Sequence, residues 1–250
     1  MSGSGSGFHE QPDDARSSAG AERPVVSVVI PTYNSARFLP AALASVFLQD
    51  DPACEILAVD DGSTDETLAL LGAEPRVTVV ARAHAGVSAA RNAGIDAARG
   101  DLMAFLDSDD VWPAGRLAAA RQMLAARPEV GVLLGMEMLF AEADTEVPAW
   151  VRPEWLTEPQ PASNTAVLVA RRNVFRQVGL FDTSYESGED TEWLLRARQA
   201  GVTIERLPVV VVHKRLHGGN LSVETFERRK ATLARIARES IQRRSRGGSS

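Results

Sequence analysis

With 250 residues, of which 44% are hydrophobic and 24% charged, the chain holds enough apolar material for one sizeable domain with appendages. A formal net charge of -6 argues against nucleic-acid binding, which needs a basic face. The single cysteine, Cys54, rules out an internal disulfide and a zinc site of its own, and fits a buried side chain in a reducing cytoplasm.

Residues 1–23 lack an apolar signal-peptide core and are expected to form a flexible leader outside the fold. At Val25 the texture changes: "VVSVVI" is a β-branched apolar run of the kind that forms a parallel strand covered on both faces. After "PTYNS", the stretch "ARFLPAALASVFLQ" places Phe38, Leu39, Leu43 and Val46 at helical spacing. "CEILAVDD" predicts a second strand, and "STDETLALL" a helix capped by Ser63 or Thr64. "VTVVA" predicts a third strand, "GVSAARNAGIDAARG" a helix closed by Gly100, and "LMAFLD" a fourth strand. "PAGRLAAARQMLAAR" places proline at a helix start and basic residues towards its end. Strands alternating with helices imply an α/β fold, a Rossmann-like domain whose mostly parallel sheet is flanked by helices.

The second half is less regular. "VGVLLGMEMLF" and "TAVLVA" predict strands on either side of a proline- and acid-rich stretch. "RRNVFRQVG" and "EDTEWLLRARQAG" predict helices, and "VTIERL" and "VVVVH" two further strands. From about Leu221 to Arg244 a basic helix closes the chain, with Phe226, Leu233, Ile236 and Ile241 as its apolar face. No apolar run approaches the roughly 20 residues needed to span a bilayer.

Three polar clusters fall at predicted strand ends: "PTYN", "DDGSTD" and "DSDD". In open α/β sheets ligands bind beyond the carboxyl ends of the strands. Asp107, Asp109 and Asp110 stand together where an apolar strand stops, and like charges so close require a counter-charge or full solvation. A divalent cation carried with a nucleotide diphosphate would supply it, since Mg²⁺ or Mn²⁺ takes carboxylate and phosphate oxygens together. A lone D-x-D or D-D-G-S also reads as an ordinary turn; their combination on successive strand ends is what carries weight.

"VSVVIPTYN", "AVDDGSTDET", "SAARNAGIDAARGDLMAFLDSDDVW" and "SGEDTEWLLRARQAG", in this order, resemble the family-2 glycosyltransferases over roughly Val25 to Ser222. The resemblance implies the A-type glycosyltransferase fold and inverting transfer from a nucleotide-diphosphate sugar. It implies a transferase domain over 24–220, with a nucleotide-sugar half at 24–112 and an acceptor and catalytic half at 113–220. A basic amphipathic helix and tail then occupy 221–250. Pro31, Thr32 and Tyr33 match the loop around the nucleotide base, and Asp61, beside Asp60, matches the base-contacting acid. Arg91 matches the arginine near the nucleotide and diphosphate. Asp107 and Asp109 match the D-x-D pair around Ser108, with Asp109 assigned to the metal and Asp107 to ribose or metal. Asp110 is open between the site and a local hydrogen bond.

Inversion requires one in-line displacement at the anomeric carbon, so one carboxylate base suffices when a metal handles the leaving diphosphate. "GED" opens a predicted helix, where a carboxylate also serves as a cap. The resemblance assigns Asp190 as base and Glu189 to the acceptor or donor sugar. The resemblance also makes His217, in "RLH", the candidate third metal ligand, with a structural role nearly as well supported, whereas His213 reads as structural. Trp150 and Trp155 are candidate acceptor-side aromatics, or simply loop packing.

The expected partners are a nucleotide-diphosphate sugar and a glycan, lipid-linked or small-molecule acceptor, with surface polysaccharide assembly as the family context. Natural-product or peptide glycosylation stays open, as does a catalytically inactive nucleotide-sugar-binding protein. The expected location is cytoplasmic, with peripheral contact at the inner membrane face through the C-terminal helix. A sugar nucleotidyltransferase is disfavoured, because "PTYNSARF" replaces that class's glycine-rich basic loop.

Overall fold

A computed structural model describes residues 24–49, 54–143, 145–149, 151–217 and 226–247; the side chains of 54, 226–231 and 244–247 are outside the described set. The leader over 1–23, Trp150, the expected helix start at Leu221 and the side chain of Cys54 therefore lie outside the described residues.

The first half is the alternation the sequence implies. β1 (Val26–Thr32), α1 (Leu39–Phe47), β2 (Cys54–Asp60), α2 (Thr67–Gly72), β3 (Thr78–Ala81), α3 (Val87–Ala97) and β4 (Leu102–Phe105) follow in order. α4 (Arg116–Ala126), β5 (Val130–Ala141), the two-residue β6 (Gln160–Pro161) and β7 (Leu168–Arg171) continue the chain. α5 (Arg172–Val178), α6 (Glu189–Gln199), β8 (Thr203–Leu216) and α7 (Phe226–Gly247) complete it. The sheet runs β3-β2-β1-β4-β7-β5-β6, with β8 pairing β5. The pairs β1–β2, β1–β4, β2–β3 and β5–β8 are parallel; β7 and β6 are the antiparallel insertions.

β1 is an interior strand and is buried along its whole length, as its β-branched run requires. Its proline is accommodated by register. Val29 O accepts from Leu106 N, so alternate residues turn towards β4, and β4 pairs only as far as Val29. The missing N–H of Pro31 falls beyond that pairing and leaves no ladder bond unmade. α3 seats directly on β1 because Gly94 has no side chain; a Cβ there would stand 2.4 Å from Val29 Cγ1.

Trp193 is fully buried, stacks on Phe175 at 4.7 Å and donates its indole N–H to Gly179 O at 2.8 Å. Trp112 is also buried, with the Arg116 guanidinium 3.9 Å from its ring. Both are core residues. Arg116 donates to the carbonyls of Ala166, Leu168 and Val211, and burial without a carboxylate partner pushes its pKa down to about 9.

Four local expectations are corrected. "VTIERL" and "VVVVH" form the single strand β8, in which Leu134 faces Arg206 but Met136 faces Val210. The extra residues include Pro208, and a bulge is where a strand tolerates a residue without an N–H. Ser63 and Thr64 do not cap α2, because Ser63 is held by Asp60 and the helix begins later, at Thr67. α4 begins at Arg116 after Gly115 in the left-handed region, three residues beyond Pro113. Finally, α3 ends at Ala97, before Gly100.

Candidate active site

The carboxyl ends of β3, β2, β1 and β4 lie side by side, and the polar clusters sit there. Pro31 and Thr32 are the last residues of β1 rather than loop residues; Tyr33 is the first residue beyond it. Thr32 Oγ1 is 3.3 Å from Val59 O, which joins the ends of β1 and β2. Asn34 adopts φ 48°, and its side-chain carbonyl accepts from Thr64 N at 2.8 Å. This clasps the first loop to the second.

Asp60 is buried and accepts from Ser63 Oγ at 2.5 Å and Ser63 N at 3.1 Å, which makes it the organiser of its own turn. Asp61 accepts from the backbone N–H groups of Ala85 and Gly86 at the entrance to α3. His84 Nδ1 lies 2.9 Å from the same carboxylate, and its ring centroid is 4.3 Å from that of Tyr33. Tyr33 and His84 therefore form a half-exposed aromatic pair above Asp61, a face on which a flat ring can stack.

At the end of β4 the acids separate in role. Asp107 meets Arg91 at 2.7 Å, and the same buried guanidinium reaches Glu189 at 2.5 Å. One cation thus joins the D-x-D loop to the first turn of α6. Burial opposes ionisation of Asp107, but Arg91 and then Lys214 hold its pKa below the ordinary value. Ser108 Oγ lies 2.7 Å from Ser35 Oγ. Asp109 Oδ2 lies 2.9 Å from His217 Nε2, and the imidazole sits 4.6 Å from the Phe38 ring. Asp110 is almost wholly buried and accepts from Arg215 N at 2.8 Å, a partner on β8 rather than in its own loop. A bridge between Val111 and His213 ties the same loop to β8, which gives His213 its structural place.

α6 begins at Glu189, after Gly188 at φ 78°. A Cβ on Gly188 would meet Thr232 Cγ2 at 3.0 Å, because α7 lies across this turn. Asp190, the second residue of α6, is pushed up to about 6, first by burial and then by the charge of Glu189, with Arg91 opposing. Trp155 is partly buried against Leu139, Val151 and Leu216, in a small cluster apart from the main core.

A divalent cation can be fitted to this geometry only in part. Among the described residues no group of three or more His, Cys, Asp and Glu side chains is arranged as a metal cage. Asp109 and His217 offer one carboxylate and one imidazole in contact, a donor pair that suits a cation whose remaining ligands are phosphate oxygens and water.

The glycosyl transferase family 2 model matches residues 27–175, more than half of the chain, from within β1 into α5. The chain belongs to glycosyltransferase family 2. Among the relatives of this family-2 chain, the succinoglycan biosynthesis protein ExoO of Rhizobium meliloti is 34% identical over 197 residues, 71% of this chain and 57% of ExoO. The chain spans between 20% and 60% of the length of the curated relatives it matches first. Among solved structures, S. aureus TarS with UDP-GlcNAc shares the fold at TM-score 0.65, with 22% identity, over 80% of this chain and 61% of that one. The mannosyltransferase PcManGT from Pyrobaculum calidifontis, with GDP-Man and Mn²⁺, shares it at TM-score 0.62, with 22% identity, over 79% and 59%. The fold is that of the A-type glycosyltransferases.

Sequence reasoning missed Lys214, Arg215, Glu142 and His84. Arg215 donates from Nε to Asp109 O at 2.9 Å and ion-pairs with Glu142, which also meets Arg37 at 2.9 Å. The available signal was "HKRLH": charges in succession at the end of a β-branched strand are unusual enough to ask what they face.

Proposed function

We propose that this chain transfers a sugar from a nucleotide-diphosphate donor to a hydroxyl acceptor with inversion at the anomeric carbon, in the assembly of a polysaccharide or glycoconjugate. The observation that carries the reading is the Arg91 bridge. It holds the D-x-D loop and the E-D turn on one buried cation, which supports reading the acids of both as parts of one site.

In this reading Tyr33 and His84 stack on the base, and Pro31, Thr32, Asp60 and Asp61 shape its pocket. Asp107 and Ser108 line the ribose and diphosphate, with Arg91 behind them. Asp109 and His217 hold Mg²⁺ or Mn²⁺, with Asp107 within the same loop. When bound, that cation neutralises charge on the departing diphosphate. Asp190 accepts the acceptor's hydroxyl proton as the new carbon–oxygen bond forms and the bond to the diphosphate oxygen breaks. Glu189 and Trp155 face the acceptor side. The ligands named for TarS and PcManGT support a nucleotide-sugar donor and a divalent metal, and ExoO supports a polysaccharide setting.

The acceptor reading is a glycan, preferably lipid-linked, reached by a cytoplasmic protein resting on the inner membrane face through α7. Among the described residues no helix is long and apolar enough to cross a membrane. Leu233 and Ile241 on α7 are exposed, which supports surface contact.

Calorimetric titration with UDP, GDP, TDP and CDP, with and without Mn²⁺, tests the core of the proposal. Metal-dependent binding of one nucleotide is expected, and Asp109→Ala should remove the metal's contribution. A folded protein that binds none of the four would overturn the donor reading.

A further inference from the structure

The three acids at the end of β4 each face a nitrogen-bearing side chain of the protein, and two of these partners, Arg91 and Lys214, are cations. Asp107 has Arg91 at 2.7 Å, and Asp109 has His217 at 2.9 Å. Asp110 has Lys214, whose Nζ stands 3.9 Å away, too far for a hydrogen bond and near enough for a strong charge–charge interaction. Among the described residues Asp110 Oδ2 is buried and accepts no hydrogen bond, and Lys214 is the cation that faces it.

Lys214 is not a surface lysine. Its side chain is 19% exposed, and it faces Asp110, Asp107, Glu137 and Asp109 together, all of which favour its ammonium form over the opposing effect of burial. It is a fixed positive charge set among the acids that the proposed function assigns to the metal and diphosphate.

A dication entering alone would meet a buried ammonium fixed beside the acids. A dication entering with a diphosphate meets a different balance, because the phosphates take up Arg91 and Lys214 while adding ligand oxygens. Resting on the function proposed above, we infer that Lys214 is the internal cation that makes divalent-metal binding conditional on nucleotide: it suppresses metal binding by the free protein and favours entry of metal and nucleotide diphosphate together. Lys214 touches neither bond that changes; it is a positioning residue acting through charge.

The test is Mn²⁺ titration followed by electron paramagnetic resonance, which counts free Mn²⁺ without any turnover. Wild-type protein should leave Mn²⁺ free in the absence of nucleotide and bind it when UDP or GDP is present, whichever the protein accepts. Lys214→Met and the more conservative Lys214→Gln should bind Mn²⁺ without nucleotide at least about tenfold more tightly than wild type, the order expected for removing one nearby buried charge. Lys214→Arg, which keeps the charge, should behave as wild type. Circular dichroism identifies which neutral variant is folded, and either one suffices.

Wild-type protein that binds Mn²⁺ equally well with and without nucleotide would overturn the inference. So would a folded neutral variant whose nucleotide-free Mn²⁺ affinity is unchanged, and that result would leave the metal reading intact. If Mn²⁺ stays free in every protein with every nucleotide, the metal reading itself fails and takes this inference with it.

Discussion

At Asp190, burial and the adjacent Glu189 charge oppose ionisation while Arg91 favours it, and the balance leaves its pKa at about 6. A carboxylate there is a better proton acceptor than an ordinary aspartate and is still ionised at neutral pH. The sign follows from the role: the protonated form cannot take the hydroxyl proton. Transfer measured as kcat/KM should fall with unit slope as pH drops below about 6 and level off above it. Asp190→Asn should lose transfer by roughly 10²–10⁴-fold while calorimetry finds donor affinity unchanged. Weakened donor binding with transfer intact would remove Asp190 from the base role. Candidates of this kind could be named from the sequence because each motif is a short string. The pairings were not. Arg91 meets Glu189 across 98 residues, and the Arg215 backbone meets Asp110 across 105. Nothing in a local string reports a counter-ion that arrives from another strand.

Among the elements, those with a clean period were readable and those under tertiary control were not. The β-branched run of β1 and the helical spacing of α1 correspond to the elements observed. β8 read as two strands because Pro208 interrupts it, yet pairing with β5 resumes past a bulge. The helix starts of α2 and α4 shifted because Ser63 is held by Asp60 and because Gly115 supplies the left-handed turn. The seating of α3 depends on one such tertiary detail. A Cβ on Gly94 would press on Val29 and on Val59 Cγ2 at 3.2 Å, and both belong to interior strands. Gly94→Ala should therefore push α3 outward at a cost of about 1–3 kcal/mol. Because Arg91 rides on the same helix, nucleotide affinity should fall together with the melting temperature. Gly72, at the end of α2, has nothing within 4 Å of its would-be Cβ and is the control. Gly72→Ala should leave both measurements near wild type. Equal losses in the two variants would show that the close approach at Gly94 does not position the site.

Across the whole molecule, charge is segregated. The chain carries -6 overall, whereas 226–247 contains eight Lys and Arg against two Glu. α7 is fastened on one side to α6 and the segment before it. Ile236 is buried beside Gly188, Gln199 Nε2 reaches Ser240 Oγ at 2.7 Å, Tyr185 donates to Glu239 at 2.7 Å, and Arg243 meets Glu192 at 3.0 Å. The expected apolar face is thus divided: Ile236 packs inward, while Leu233 and Ile241 are 48% and 65% exposed, and Phe226 lies outside the described side chains. Positions 233, 237 and 241 fall in one i, i+4 row of the helix, away from the face that docks on α6. An apolar row on a basic helix suits an anionic lipid surface, and the docking contacts would hold the E-D turn close to that surface. Flotation with vesicles containing phosphatidylglycerol should carry the full chain upward at low salt, whereas pure phosphatidylcholine vesicles should not. Raised salt should weaken the association, because its electrostatic part is screened over about 10 Å at 0.1 M. The double variant Leu233→Glu, Ile241→Glu should lose flotation while keeping its melting temperature, since neither side chain is in the core. Full retention of flotation by that variant would mean that the apolar row is not the contact. No flotation of the wild-type chain at any lipid composition would assign α7 to domain packing alone, and the acceptor would then have to come to the site from solution.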